Sequence, residues 1–426
     1  MLYDKSMWYE RILLVLHQRV FGMPMGPRTI QFIQQLQWSI LGGAIASALL
    51  FFVSVWAARV LGAQQYGQYS FTVSAAQLVV LFITWSFEIA VVRALAFTKG
   101  DEVSQKYIVS SALAFLVVSL VFINLLLFLA PISFIRGIVM VFASVLAIKL
   151  MFDGMMRGLG LFGYQAIGKI IEATTVLIAF AVLVRTGSLM SYKDYLLALI
   201  IGSLALLVWY LFKIRNDVSF QSISHSAFQV LWTYGSRAMI WVALSTITGF
   251  AAKYIIKAIV GYQFLGQFSA YQLTTIAALA FFGGLVANVF FPVAVQEGDS
   301  NAMWHKMHRT ALVGWLPLWV SGSLVANIGV VLYGHSYYLT WWFGVGMAGI
   351  AVAQFLCGMY LWIIASDGVR GVKYMAFHSA MSGLIFIVLL ASVLRMNALY
   401  GILGSYVVAS IYAVWAIYRW RVVLKR

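Results

Sequence analysis

Apolar runs recur along the whole chain, at residues 39–61, 69–90, 108–129, 134–151, 166–184, 195–212, 238–258, 268–290, 311–332, 339–364, 374–394 and 401–417. Each is continuously apolar rather than alternating, which argues against strands. A hydrocarbon core of ~30 Å takes about 20 apolar residues as a helix, and a helix satisfies its own backbone polar groups inside lipid. The pattern therefore predicts an all-α polytopic membrane protein of about twelve transmembrane helices, six in each half. The polar stretches between runs are short, and those facing away from the termini leave no room for an extramembrane domain. Pro317, three residues after Gly314 in the ninth run, predicts a kink there.

The polar positions carry a second regularity. Residues 61–70 read LGAQQYGQYS and residues 260–269 read VGYQFLGQFS, so a shift of 199 places Gly62 on Gly261, Gln64 on Gln263, Gly67 on Gly266, Gln68 on Gln267 and Ser70 on Ser269. Both copies lie between two apolar runs. A unit repeated once per half in the same orientation predicts two parallel-repeat six-helix bundles about a central cavity, the layout of a secondary transporter. The expected division is a lead-in at 1–37, an N-terminal bundle at 38–212, a polar linker at 213–235, a C-terminal bundle at 236–418 and a basic tail at 419–426.

Composition agrees: the 426 residues are 63% hydrophobic and 9% charged, too little polar surface for a soluble globule. A net charge of +16 would suggest nucleic acid in a soluble protein. Here its distribution matters more, because 21 of the 28 Lys and Arg fall on the side of the termini. By the positive-inside rule both termini are expected in the cytoplasm, and no nucleic-acid partner is expected. The single cysteine, Cys357, lies within an apolar run and says nothing about compartment. Residues 12–16 are too short for the apolar core of a cleavable signal.

The stretch AARVLGAQQYGQY at 57–69, followed by a run ending in Arg93, resembles the N-terminal signature of the polysaccharide-transport flippases of the multidrug/oligosaccharidyl-lipid/polysaccharide exporter superfamily. So does IIKAIVGYQFLGQFSAY at 255–271. The resemblance extends over the whole chain in helix number, repeat and orientation. It implies a flippase that carries an undecaprenyl-diphosphate-linked oligosaccharide, such as an O-antigen unit of lipopolysaccharide, from the inner to the outer leaflet of a bacterial inner membrane. A polysaccharide polymerase and a chain-length regulator are the protein partners it implies. Many relatives carry an acidic residue before the second glycine pair; Ala251, Ala252 and Lys253 stand there instead, so no acidic role is transferred to that point.

Ionisable side chains near the centre of a span cost ~2.5–3.5 kcal/mol on insertion scales, so those that persist are candidates for function. Lys253 and Lys257, at i,i+4 in the seventh run, share a helix face, and Arg59 in the first run lies at a similar depth. Turned inward, the three form a cationic patch suited to a diphosphate; turned outward, they snorkel to the headgroups. Arg93 and Arg237 are further candidates for the diphosphate, or serve orientation alone. Lys149, Asp153 and Arg157 follow at i,i+4, with the carboxylate between two cations, and Lys169 and Glu172 lie at i,i+3 in the next run. These five are read as a gate near the side of the termini, or as a packing cluster. Glu88, deep in the second run, has Ala287 as its repeat partner. That asymmetry suggests proton or cation binding by the N-terminal half, or a structural pair with Arg59 or Arg93.

Glu297, Asp299, His305 and His308 lie together without a closed ligand set, so no metal is expected. No phosphate-binding Gly-rich Lys motif is present, so ATP is not expected to drive transport directly. No cofactor is required, and coupling to an H+ or Na+ gradient stays open. Two other functions compete with lipid-linked glycan flipping. Multidrug export in the same superfamily would favour acids over cations in the cavity. A membrane glycan polymerase or acyltransferase would need a sizeable catalytic loop. Neutral polar residues such as Gln77, Asn288 and Gln354 could touch sugars.

Overall fold

The computed structural model describes residues 27–98, 101–129, 137–187, 191–215, 223–277, 279, 300–366 and 369–424. Within them the chain is helical, with no strand. The N-terminal half comprises α1 (Pro27–Thr84), α2 (Phe87–Phe97), α3 (Glu102–Leu129), α4 (Ile138–Gly158), α5 (Phe162–Arg185) and α6 (Tyr192–Ile214). The C-terminal half comprises α7 (His225–Ile259), α8 (Tyr262–Gln272), α9 (Ser300–Tyr333), α10 (Trp341–Ser366), α11 (Val369–Val393) and α12 (Ala398–Leu424). Among the described residues, ten helical stretches are long and apolar enough to cross a membrane, and one of them, Gly42–Thr84, takes in two of the apolar runs. The eighth run is described as α8 and a π-helical turn, Leu273–Ala277; the rest of it, including Asn288, lies outside the described residues, as do Ala287, Glu297 and Asp299.

The repeat is visible in backbone angles. Gly62 kinks α1 with φ 73° and ψ 167°, and Gly261 separates α7 from α8 with φ 100° and ψ 175°. An L side chain rarely adopts such a φ, which is why each copy has glycine there. Each turn reverses the chain at the face away from the termini, so the two copies meet. A Cβ on Gly67 would collide with the Tyr262 carbonyl, and one on Gly266 with the Ala63 carbonyl. Ala63 and Tyr262 are themselves 199 apart, so the contact obeys the symmetry of the repeat. Ser70 and Ser269 complete it, with hydroxyl oxygens 2.7 Å apart.

Two local features differ from the sequence expectation. The second run is not one helix: Trp85 (φ 50°) and Ser86 (φ 56°) are left-handed and separate α1 from α2. The expected linker is partly helix, because α7 begins at His225, capped by the Ser224 hydroxyl, which accepts from the Ala227 N–H. Pro317, where the sequence predicts a kink, lies in the interior of α9.

Apolar packing follows the same plan. In the N-terminal half Phe87, Leu95, Met151, Met155 and Tyr210 belong to one buried cluster. A second cluster joins Ala58, Tyr66 and Phe71 of α1 to Tyr271, Tyr333 and Phe343 of the other half, so the seam is itself a core. On α3, Val117, Val118, Val121, Phe122 and Leu125 are all exposed. In water such a stripe would be a liability; in a chain of this hydropathy it is the lipid-facing surface.

Candidate functional site: a two-part cavity between the halves

Below the glycine crossing the halves leave a cavity of about 490 Å³ lined from α1, α2, α4, α7 and α8, whose charged residues are Glu88, Lys149 and Lys253. A second cavity of about 410 Å³ lies within the C-terminal half, and Lys253 is the one charged residue of the Asp, Glu, Lys and Arg type in its lining. Ser245, Gly249, Lys253 and Gln272 line both. The two chambers share this ridge of α7 as a common boundary, and Lys253 stands on it.

The helix α7 presents Lys253 and Lys257 on one face, yet they end in different surroundings. Lys253 Nζ donates to Ser70 Oγ at 2.9 Å, reaching from one half to the serine of the repeat motif in the other. Lys257 Nζ instead lies over three rings, 4.9 Å from Phe71, 5.5 Å from Tyr262 and 5.6 Å from Tyr254. Such cation–π contacts satisfy an ammonium without an anion. Lys257 lines neither cavity.

The arginines expected beside the lysines also lie elsewhere. Arg59 is exposed at the face away from the termini and donates from Nε to the Leu332 carbonyl at 2.6 Å, a helix C-terminal acceptor that suits a cation. Tyr337 makes the reciprocal reach, its hydroxyl donating to the Ala58 carbonyl at 2.7 Å. These two bonds latch α1 to the end of α9. Arg93 stacks over Tyr234 at 4.2 Å and Phe97 at 5.4 Å, where α2 meets α7. Arg237 is exposed and lines neither cavity.

The expected stack of Lys149, Asp153 and Arg157 is rearranged by neighbouring helices. Asp153 turns away from both cations: its Oδ1 accepts from the Tyr210 hydroxyl at 2.6 Å and from Gln165 Nε2 at 2.9 Å. Arg157 Nε donates to the Asp153 main-chain carbonyl at 3.3 Å rather than to its carboxylate. Lys149 pairs with Glu172 Oε1 at 2.5 Å, an oxygen that also accepts from Ser203 Oγ at 3.0 Å. This is the only ion pair among the described residues, so the expected Lys169–Glu172 pairing is not formed; Lys169 is half-buried on α5. Every one of these partners belongs to α4, α5 or α6. The cluster therefore ties the N-terminal half together and does not bridge the two halves.

Glu88 does face the cavity. It sits in the first turn of α2, just after the left-handed pair, and is 8% exposed. Its Oε2 has no hydrogen-bond partner among the described residues, and neither have Trp85 Nε1 and Ser86 Oγ beside it. The close approach of α4, where a Cβ on Gly154 would strike the Glu88 carbonyl, holds the break in place. Trp85 stacks on Trp232 of α7, with ring centroids 5.9 Å apart. The sequence marks Glu88 by its depth, but the break gives no glycine or proline signal. The tyrosines at the seam carry no sequence signal of their own; the Tyr66 ring lies 5.9 Å from Tyr333 and 5.8 Å from Tyr337, and its hydroxyl is 2.8 Å from Ser54 Oγ.

Comparison with known proteins gives this architecture a family. The profile described as "Polysaccharide biosynthesis protein" matches residues 32–296. No similar sequence was found among curated proteins. An inward-facing multidrug resistance MATE family transporter of the MOP superfamily superposes with a TM-score of 0.70 at 13% identity, covering 92% of this chain and 99% of that one. An outward-facing structure of such a transporter gives 0.63 at 14% identity, covering 96% and 98%. A MOP superfamily transporter from Pyrococcus furiosus, described by the reverse polarity of its binding pocket, gives 0.65 at 12% identity, covering 94% and 97%. The chain belongs to the polysaccharide biosynthesis protein family and has the two-bundle fold seen in the MOP superfamily transporters it superposes on.

Proposed function

We propose that this protein is a flippase for a polyprenyl-diphosphate-linked oligosaccharide, working by alternating access in a bacterial inner membrane with both termini cytoplasmic. The observation that carries the reading is Lys253: an ammonium at the junction of two cavity chambers, hydrogen-bonded to a neutral serine. A cation so placed calls for an anionic ligand, and a diphosphate supplies acceptor oxygens for charge-assisted bonds. The glycan then lies in the aqueous crevice, and the lipid chain stays in the bilayer. Sugar contacts from Gln77 and Gln354 fit this placement, since they line the first and second chamber respectively. Membership of a polysaccharide biosynthesis family supports the same substrate class over drugs.

The latch of Arg59 and Tyr337 and the glycine crossing close the crevice on one face. Translocation requires that closure to open while the α2–α7 contact at Arg93 and Tyr234 forms or breaks in turn. Glu88, a carboxylate at a helix break in the cavity wall whose Oε2 has no hydrogen-bond partner among the described residues, is the group proposed to take up a coupling proton or Na+. Polymerase and chain-length regulator remain its proposed protein partners. The test is flipping in reconstituted vesicles, using a fluorescent polyprenyl-diphosphate oligosaccharide and a membrane-impermeant quencher. Transport suppressed by unlabelled lipid-diphosphate glycan supports the proposal. A folded protein that moves cationic drugs and no glycan lipid overturns it in favour of drug export.

A further inference from the structure

The C-terminal half carries a third cavity, of about 590 Å³, on the outer side of the bundle between α9, α10 and α12. Its walls are apolar and aromatic, among them Trp315, Trp319, Ala353, Leu356 and Val414. What distinguishes it from an ordinary lipid-facing furrow is its back wall. Cys357 and Ile417 line this groove and also line the chamber that contains Lys253. At the seam between α10 and α12 the two cavities thus share side chains; Lys253, Gln272, Gln354 and several serines stand among apolar residues in the chamber, whereas the groove has no Asp, Glu, Lys or Arg in its lining.

Helix geometry explains the division. On α10, Gln354, Cys357, Leu361 and Ile364 face the chamber, whereas Gly349, Val352, Ala353, Leu356 and Tyr360 face the groove. Their spacings of three and four residues keep each set on one side of the helix. On α12 the chamber side carries Ala409, Ala413 and Ala416, small residues that let α10 approach closely. At the end of the groove nearest the termini, Trp304 and Tyr360 pack at 4.9 Å and His308 Nδ1 lies 3.1 Å from the Tyr360 hydroxyl. Trp, Tyr and His at that end are the amphipathic side chains that favour a membrane interface.

We infer that this groove holds the isoprenoid chain of the substrate, which leaves the chamber between α10 and α12 while its diphosphate stays against Lys253. The inference rests on the flippase reading. An anionic amphiphile requires a cation in a chamber directly beside an apolar furrow, and here the described residues place Lys253 in a chamber that shares Cys357 and Ile417 with the groove. Bulk phospholipid could wet the groove, but it has no reason to couple it to the chamber.

The experiment uses the full chain in nanodiscs and undecaprenyl diphosphate bearing a diazirine on its tail. Crosslinks are expected within 349–360 and 414–418, suppressed by unlabelled undecaprenyl diphosphate and not by phosphatidylglycerol. Ala353→Trp, which fills the groove, should weaken undecaprenyl diphosphate about tenfold, the change produced by about two methylenes withdrawn from apolar contact. Geranyl diphosphate, too short to need the groove, should bind Ala353→Trp as it binds the parent. Should Ala353→Trp not fold, the crosslink map of the unaltered protein decides alone. Crosslinks confined to the seam of α1 and α8, or suppressed equally by phosphatidylglycerol, overturn the groove and leave the flippase reading standing. Failure of the unaltered protein to bind either diphosphate overturns both.

Discussion

The two halves share a frame and differ in what they put into the cavity. Gly62, Gly67 and Ser70 recur as Gly261, Gly266 and Ser269 with matching backbone angles and reciprocal contacts. The cavity walls show no such likeness. The N-terminal half contributes Glu88 and Lys149, the latter paired with Glu172 outside the lining, whereas the C-terminal half contributes Lys253 beside serines and glutamines. At the position matching Lys253 the N-terminal half has Ser54, engaged with Tyr66. Duplication thus supplied a hinge that must be symmetric to close. The side chains below it were free to diverge into a neutral, cationic side and a charged side.

The largest effect should come from Lys253, where the divergence is sharpest. Lys253→Met is expected to bring flipping in vesicles to background, because a charge-assisted contact of about 1.5–3 kcal/mol to the diphosphate disappears. Lys257→Met should keep transport and lose only stability, by about 0.5–2 kcal/mol for its cation–π contacts. Equal losses from both would mean that the aromatic cage opens and both lysines serve the ligand.

Next in size is the crossing itself. A methyl at Gly67 or Gly266 meets a backbone carbonyl that cannot step aside, and overpacking of this kind costs about 1–3 kcal/mol. Gly67→Ala and Gly266→Ala should therefore slow flipping by similar factors, about tenfold or more. Similar losses express the symmetry; a large loss in one and none in the other would break it.

Much of this was legible in the sequence. Lipid imposes continuous apolar runs, so the spans could be read directly, and the left-handed φ at Gly62 and Gly261 left its mark as a repeated glycine. The site was less legible because it depends on packing between helices. An i,i+4 spacing places Asp153 between Lys149 and Arg157, but Tyr210 and Gln165 from other helices outbid them for its carboxylate. The same spacing puts Lys253 and Lys257 on one face, yet Ser70 and Phe71, adjacent residues of the other half, receive them separately. The break at Trp85 and Ser86 has no local signal, since Trp85 is held by Trp232 and Phe87 is fully buried.

Glu88→Gln sharpens the charged side of the comparison. The variant should flip substrate down its gradient at a comparable rate but lose any acceleration by an imposed H+ or Na+ gradient, measured in the same vesicles. Gradient dependence that survives the change would exclude Glu88 from coupling and leave it a structural acid at the helix break.

The smallest effect is expected at the latch, which has no counterpart in the repeat. The residues matching Ala58 and Tyr337 across the shift of 199 are Lys257 and Ile138, and isoleucine has no hydroxyl to donate to a carbonyl. The Tyr337 hydroxyl is buried against the Ala58 carbonyl. Tyr337→Phe removes one hydrogen bond worth about 0.5–1.5 kcal/mol and leaves the glycine crossing intact. The closed form should lose roughly two- to tenfold in population relative to the open one, read by pulsed electron resonance between spin labels at Val60 and Val260 in a background without Cys357. If the symmetric crossing is what closes this face, Tyr337→Phe shifts the distance distribution by less than Gly67→Ala does. A larger shift from Tyr337→Phe would instead make the asymmetric latch the principal closure, with the crossing only the pivot beneath it.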